Sequence, residues 1–538
     1  MNNDEKGPSI VAQFQRMKGN RGNWESHWQE ISDRIIPSHS DIFQGTSGFN
    51  QGSKRNGLIY DATAANALGR FGAILDSLLT PRNQTWHRMT TNNKDLNRDR
   101  NTKLWFEETN RILFKYRYAP KANFAAQNQQ VYKSLGAFGT SGMFIDQLSG
   151  EPGIRYRNVH LGELFIAENH QGIVDHIIRR FPLTSRQAVQ KWGEVLPDTI
   201  QESAKTNPER EFWFLHEIKP NENRDPDRED FRGMAFLSSY VSETEKVLIS
   251  EGGYRTMPLP VTRYEQVSGE MYGRSPAMEV LPAIKTLNEQ KKTMLKQGHR
   301  AVDPVLLAHD DGILDTFSMR PGAINAGGVS AEGRALVQAL PTGNYQVGKD
   351  MMDDERNDIK DAFLVTLFQI LTENPGMTAT EVMERSKEKG LLLAPTVGRQ
   401  ADEYLGPLVE RELDVLMMQG LIPPMPDALR EAEGEYTLTY DSPLARAQKA
   451  EEASGLMRSI EMALQVVNVT QNPEPLDHFD WDAIMPEVGE IQGVPLRWMR
   501  DPKVIQQMRE GRAQQAQQQQ DVQSAPAAAA MMKVVGGK

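Results

Sequence analysis

Large apolar residues recur at helical spacing near the start of the chain, at Trp24, Trp28, Ile31 and Ile35, before Pro37 ends the pattern. This predicts a helix with one buried face. Gly45, Gly48, Gly52 and Gly57 then stand among polar residues and predict a loop. A second helix follows, with Asp61 as its cap and Leu68, Phe71, Leu75 and Leu78 on one stripe. Thr80-Pro81 stops it, because proline disfavours helix in the residue before it. Further amphipathic stretches at 105–116 and 124–135 make the N-terminal region mainly helical.

From 153 to about 253 the period changes. Runs at 164–166, 174–178 and 212–218, separated by turns bearing Gly and Asn, predict strands. Between them Thr184 is placed to cap a short helix that Gly193 terminates. The predicted class is α+β, mainly helical. Ser275-Pro276 supplies a cap and a first-turn proline, and Ile284, Leu287, Lys291 and Leu295 continue a helix toward Arg300. Pro282 must kink that helix or mark its true start. A Gly-rich, partly apolar segment at 303–345 fits a small β-containing module.

Helical signal returns over 350–371, breaks around Asn374-Pro375-Gly376, and resumes from Thr380 through Leu405, Leu408, Val409 and Leu416. Pro423, Pro424 and Pro426 punctuate the chain before Ser442-Pro443 opens a helix carrying Leu456, Ile460 and Leu464. The glutamine- and alanine-rich segment 512–538 has too few large apolar groups to offset ordering entropy, so disorder or marginal helix is expected there.

Composition narrows the function. At 538 residues the chain has room for several cores, and 25% charged with 39% hydrophobic residues is ordinary for a folded protein. Lys and Arg number 61 against 72 Asp and Glu, a formal charge of -11, so the surface as a whole repels a polyphosphate. That disfavours a sequence-reading DNA binder. The absence of cysteine excludes disulfides, thiolate metal sites and cysteine nucleophiles. The first residues do not resemble a secretion signal, and the most apolar window, 362–371, is too short to cross a bilayer. A product made in the cytoplasm, with no membrane partner, is expected.

The chemistry of enzymes is looked for and not found. Gly343 to Asp350 has the glycine and lysine spacing of a phosphate-binding loop, but Asp350 puts a carboxylate where that loop needs a hydroxyl on magnesium. The ten histidines are scattered, with His170 and His176 on either side of an expected hairpin turn. His309-Asp310-Asp311 is their one dense acidic cluster and reads as a solvated turn. Gly139-Thr140-Ser141-Gly142 misses a hydrolase elbow by one residue. No catalytic residue, metal site or cofactor is expected. Lys285, Lys291, Lys292, Lys296 and Arg300 could touch phosphates in a channel or form the wet face of their helix; Glu289 among them favours the second.

Residues 59–89, IYDATAANALGRFGAILDSLLTPRNQTWHRM, resemble the most recognisable block of the portal (head-to-tail connector) family of short-tailed double-stranded DNA bacteriophages. The block joins a Tyr-Asp to a small-residue helix, a Leu-Thr-Pro and a Trp. GEMYGRSPAMEVLPAIKTLNEQ at 269–290 resembles the approach to the family's first long channel helix. LTSRQAVQKWGE at 183–194 resembles a short helix of its outer domain, and 493–520 its closing segment with the glutamine-rich tail. Their order along nearly the whole chain is the specific signal. Pro282 departs from the pattern of a straight first channel helix.

The resemblance implies a portal fold with wing, stem, clip and crown, twelve copies closing a ring around a channel. Mapped on this chain, the wing is 1–273 with 380–440, the stem helices are 274–302 and 345–371, the clip 303–344, and the crown 441–511. Thr372, Glu373, Asn374, Pro375, Gly376, Met377 and Thr378 would form a loop projecting into the tunnel, with 372–379 as its span. The five basic residues above become candidates to face DNA. His309, Asp310, Asp311, Arg320 and Arg334 become candidates for docking the terminase large subunit and then the tail adaptor or tubular proteins. Major capsid and scaffolding proteins, and double-stranded DNA bound without sequence preference, complete the implied partners in a virion assembled in the bacterial cytoplasm. The competing readings are a packaging nuclease or ATPase, and another virion part such as a tail tube or internal ejection protein.

Overall fold

The computed structural model describes residues 3–37, 56–93, 95–97, 99–308, 318–341, 343, 345–368, 395–432, 436–440, 443–492, 494–502 and 504–516. Helices α1 (Asn3–Gly19), α2 (Gly22–Ile35) and α3 (Thr63–Leu79) precede strand β1 (His87–Thr90), and α4 (Arg100–Arg117) and α5 (Phe124–Phe138) follow it. Strands β2 (Thr140–Gln147), β3 (Ile154–Val159), β4 (Leu164–Glu168) and β5 (Val174–Thr184) lead to α6 (Ser185–Trp192) and α7 (Asp198–Thr206). Next come β6 (Glu211–Pro220), β7 (Phe236–Ser242), β8 (Leu248–Tyr254) and β9 (Val261–Arg263), then α8 (Pro276–Glu279) and α9 (Leu281–Val302). The short strands β10 (Leu306–Ala308) and β11 (Val337–Ala339) separate α9 from α10 (Tyr345–Ala362). A π-helical turn, Ala401–Leu405, runs into α11 (Gly406–Met418), and α12 (Asp427–Glu431), β12 (Thr437–Tyr440), α13 (Pro443–Thr470) and α14 (Trp481–Ile491) complete the order.

Two compact units share these elements: residues 1–82 with 116–419, and residues 83–115 with 420–538. In the first, β4 to β8 form a five-stranded antiparallel meander. Its two faces are covered by different helices. Ile10, Val11 and Phe14 of α1 pack on Phe165, Ile178, Leu215 and Val241, while Ala188 of α6 and Ile200 of α7 pack with Phe181, Phe214 and Ile249. Phe214 and Leu215 are sequence neighbours and point to opposite sides, as a pleated strand requires. Burial on both faces leaves six consecutive residues of β6, Trp213 to Ile218, buried, with His216 and Glu217 among them.

The capping reading at Thr184 holds: Thr184 Oγ1 accepts from the Gln187 N–H, Gln187 returns the bond to the Thr184 N–H, and Gly193 ends α6. A three-stranded sheet, β3-β2-β9, lies beside α5, and β2 and β9 fall outside the predicted strand region. At the crossing of α5 into β2, Gly139 adopts a φ of +74° and a Cβ there would meet the Gly273 carbonyl oxygen at 2.2 Å. Only glycine allows this approach.

The helix at Trp24 is α2, with Trp28, Ile31 and Ile35 fully buried and the Trp28 indole N–H donating to the Phe138 carbonyl at 3.2 Å. In α3 the buried stripe is Leu68, Phe71, Leu75 and Leu79; Leu78 is only half-buried, because 3.6-residue periodicity brings position 79 round to the core. The whole of α1 lacked a sequence signal strong enough to predict it. Its apolar stripe is three residues and Pro8 sits inside it.

Three fully buried arginines fasten the unit. Arg21 donates to Glu25 and to the carbonyls of Leu161, Gly162 and Leu164, and its guanidinium lies 3.8 Å from the Phe165 ring centre. Arg117 makes a bidentate pair with Glu412 of α11, which also accepts from Tyr156 Oη at 2.7 Å. Arg263 bridges Glu168 of β4 and Glu403 of the π turn. Unsupported burial of such charges would cost several kcal/mol each, which the pairing offsets.

In the second unit β1 pairs antiparallel with β12 in the register His87↔Tyr440. Trp86 packs edge-on to Phe114, and the Trp105 indole donates to the Pro423 carbonyl. α13 begins at Pro443 as predicted, with Ile460 buried and Leu464 exposed.

Candidate functional site

The α9–α10 pair with its β10–β11 cap carries many exposed side chains. Ser275 Oγ accepts from the Met278 N–H and Pro276 occupies the first turn of α8, so that short helix ends before α9 starts at Leu281. Pro282 marks the true start of α9, where its missing N–H costs nothing. Gln297 lies against Gly343 and Met294 against Gly348, so the two helices run antiparallel. β10 and β11 pair in the register Leu306↔Ala339, as the expected β-containing module does.

The pair is fastened at one level. Asn288, buried in α9, accepts the backbone N–H groups of Tyr60 and Asp61 at 2.7 and 3.1 Å and donates to Ile284. Arg356 of α10 donates to Asp61 at 2.6 Å and to Asp353 at 2.7 Å. Asp61 also accepts from the Thr63 N–H, although it stands one residue before Ala62, which caps α3 without a side-chain bond. Burial pushes the Asp61 carboxyl up, but the hydrogen bonds from Thr63 and Arg356 outweigh it and hold it below the usual carboxylate range.

On α9, at roughly 100° per residue, Lys285, Lys292 and Lys296 fall within about 40° of one another, with Arg300 about 60° from Lys285. Lys291 points elsewhere, roughly 120° away. Lys285 pairs with Glu30 at 2.8 Å, and Lys292 with Glu289 at 3.3 Å. Lys296 and Arg300 are exposed and make no ion pair among the described residues. The outward face of α10 has the opposite sign: Asp350, Asp354, Asp358 and Asp361 are all exposed and make no ion pair among the described residues. One flank of the pair holds an open groove of about 710 Å³.

A helix pair of this length, capped by a strand pair and seated on a Tyr-Asp, is the setting of the sequence blocks quoted above. The pattern of the family described as bacteriophage head to tail connecting protein matches residues 8–499. The chain belongs to the bacteriophage head-to-tail connecting protein family. Among curated proteins, a "Probable portal protein" of Bordetella phage BPP-1 is 29% identical over 516 residues, covering 94% of this chain and 91% of that protein. A "Portal protein" of Salmonella phage epsilon15 is 28% identical over 534 residues, covering 97% and 93%. Both relatives come from short-tailed phages, and the family is a structural one of virion components.

Within this connector chain, Arg320 and Arg334 are exposed on the segment between β10 and β11; the Ser330–Arg334 turn closes through the Ser330 N–H on the Arg334 carbonyl. His309, Asp310 and Asp311 lie outside the described residues, as do the seven residues from Thr372 to Thr378. The loop-like spacing at Gly343 to Asp350 is no loop: Tyr345 to Asp350 are helical, and Gly348 serves instead to admit Met294. His170 does not flank the β4–β5 turn but lies within it, while His176 stands on β5 with its Nε2 3.2 Å from Glu217. No group of three or more His, Asp or Glu among the described residues could hold a metal ion, and no described helix is long and apolar enough to cross a membrane.

The helix expected over 350–371 begins earlier, at Tyr345, and is interrupted at Leu364, whose φ is +61°. That turn buries both Phe363, edge-on to Phe71, and Val365. A left-handed leucine costs about 1–2 kcal/mol and carries no sequence signature. The residues that seat the pair, Asn288 and Arg356, were not singled out by the sequence; their partner Asp61 was, through its place in the Tyr-Asp block.

Proposed function

We propose that copies of this chain close a ring of twelve at one capsid vertex, forming the channel through which the genome is packaged and ejected. The observation that carries this is the match to the connector family along 8–499 by a chain whose α9–α10 pair bears a strand pair at its far end. In this reading α9 and α10 are the stem, residues 303–344 the clip that docks the terminase and later the tail adaptor, and Thr372 to Thr378 the tunnel loop. Residues 1–273 and 380–440 form the wing, and 441–511 the crown. Assembly takes place in the host cytoplasm with capsid and scaffolding proteins.

The chain performs no covalent chemistry; ATP is hydrolysed by the motor. Duplex DNA must slide, and each firm phosphate contact would have to be broken at every step. The aspartate face of α10 and the formal charge of -11 support a wall that does not hold its cargo, with the α9 stripe of Lys285, Lys292, Lys296 and Arg300 supplying weak, salt-sensitive contacts.

Class averages of the purified full chain in negative stain test the reading. Rings with a central hole are expected. A chain that stays monomeric under every assembly condition, or that turns over ATP without added motor, would defeat it.

A further inference from the structure

The buried arginines that hold the first unit together have acceptors: Arg21, Arg117 and Arg263 meet carboxylates or carbonyls, and Arg180 meets Glu243 at 2.7 Å. Arg157 of β3 and Lys191 of α6 differ. Both are exposed, and neither side chain makes a hydrogen bond or ion pair among the described residues. Three elements bring them to one place. Arg157 stands opposite Phe144 across β2 and β3, so the two share a face, and the Phe144 ring lies edge-on to His216 at 5.8 Å. Arg179, His216 and Tyr240 sit side by side on β5, β6 and β7, with His216 stacked on Tyr240 at 4.0 Å. Lys191 Nζ stands 3.9 Å from the centre of the Tyr240 ring and 5.8 Å from that of Phe181, over which the Arg179 guanidinium lies at 4.5 Å.

These cations repel one another. Burial first, and the charge of Arg179 second, lower the pKa of Arg157 and of Lys191, the latter to about 8. Arg179 is already paired with Glu163 at 2.8 Å. Asp146 of β2 acts on Lys191 in the opposite sense, but its side chain is 47% exposed and stands 4.0 Å from Arg411. An incoming carboxylate offsets the repulsion. It can take the guanidinium side by side, while the ammonium donors, left without an acceptor by the ring contact, reach the same group or the next. Duplex DNA fits poorly here: one charge per about 1.7 Å of helix axis would carry phosphates over Asp146 and over Glu194, exposed one turn beyond Lys191. A short acidic segment can place one or two carboxylates and turn away.

We propose that Arg157 and Lys191, set over Arg179 and the rings of Tyr240 and Phe181, are a docking point for an acidic peptide segment of a partner protein. Such a point works on a single subunit and does not require the ring.

Titration calorimetry of the full chain at low salt with a hexaglutamate peptide tests this. Saturable binding is expected, and Arg157→Gln and Lys191→Gln should each weaken it at least about fivefold. Lys205→Gln, which removes an exposed cation of α7, should not. Asp146→Asn should tighten binding about threefold, since a competing carboxylate is gone. Lys191 faces Arg157, Arg179, Asp146, His216 and Tyr240, and of this set it alone changes charge between pH 7 and 9: burial keeps His216 and Tyr240 neutral throughout. The ammonium is charged below about pH 8 and loses its proton above, so the parent's affinity should fall about threefold across that range and stay level in Lys191→Arg. A parent that does not bind the peptide, or binding that survives loss of both cations, overturns the proposal. Inorganic phosphate or a short DNA duplex that binds more tightly than the peptide, and is lost with the same variants, overturns the choice of partner. The pH series uses the parent alone, so an affinity that stays level from pH 7 to 9 counts against the proposal even if a variant misfolds by circular dichroism.

Discussion

Removing one partner of the Arg117–Glu412 pair tests the account of how the first unit is held together. Both side chains are fully buried, and the guanidinium makes Nε contacts of 2.9 and 3.1 Å as well as a second-nitrogen contact to the same carboxylate. Burial disfavours the charged arginine, but the Glu412 carboxylate beside it outweighs this and raises its pKa. In Arg117→Met the carboxylate keeps only the Tyr156 hydroxyl, which donates at 2.7 Å. An uncompensated buried charge of this kind costs about 3–5 kcal/mol. The first unit has about 390 residues, so at ~2.1 cal/mol/K per residue a loss of ~4 kcal/mol lowers its Tm by about 5 °C. Tryptophan fluorescence during thermal and urea unfolding measures this for Arg117→Met, Glu412→Leu and the double variant. The double variant should be more stable than the sum of the singles by at least about 2 kcal/mol, since it buries no lone charge. Additivity within ~0.5 kcal/mol would show that the pair is not coupled and refute the reasoning.

Gly139→Ala should cost at least about 2 kcal/mol, since it adds left-handed strain and drives Cβ into the Gly273 carbonyl; a melting temperature unchanged from the parent would contradict the crossing described. Replacing Lys292, Lys296 and Arg300 by Ala should leave rings intact and reduce the slope of DNA retention against log salt by up to about 2.7, if all three touch phosphate; an unchanged slope removes them from the channel contacts. His216 is held well below its ordinary pKa, first by burial and then by the charges of Lys191 and Arg179. The unfolded chain therefore binds a proton that the folded one refuses, and stability falls as pH drops below about 6.5, at a rate approaching ~1.4 kcal/mol per pH unit. His216→Gln should flatten that part of the stability profile measured by urea unfolding from pH 7 to 5, and an identical profile would count against the histidine as its source.

Elements with strong local grammar were legible in the sequence. The Thr184–Gln187 box, the Ser275-Pro276 start and the Trp28 to Ile35 stripe each carry their own stop and start signals, and each is in the structure. Elements defined by what packs on them were not. α1 is recognised only by the sheet it covers, whereas the run at 212–218, read as a strand, is β6. Of the candidate site, the basic stripe on α9 was readable from spacing, except that Lys291 leaves it. Its seat was not: Asn288 and Arg356 matter through Tyr60 and Asp61, more than two hundred positions away. Nothing local distinguishes them from other polar helix residues.

The bond from Asn288 to the start of α3 makes the pair a cantilever. Fourteen residues of α9 extend past that support, about 21 Å of rod at 1.5 Å per residue, and among the described residues α10 is the element that packs along it. A tilt of about 5° at the support moves the tip by roughly 2 Å, with the hydrogen bonds along both rods intact. In the proposed ring, stiffness at the tip then comes from neighbours, so a subunit on its own is expected to sway where an assembled one is braced.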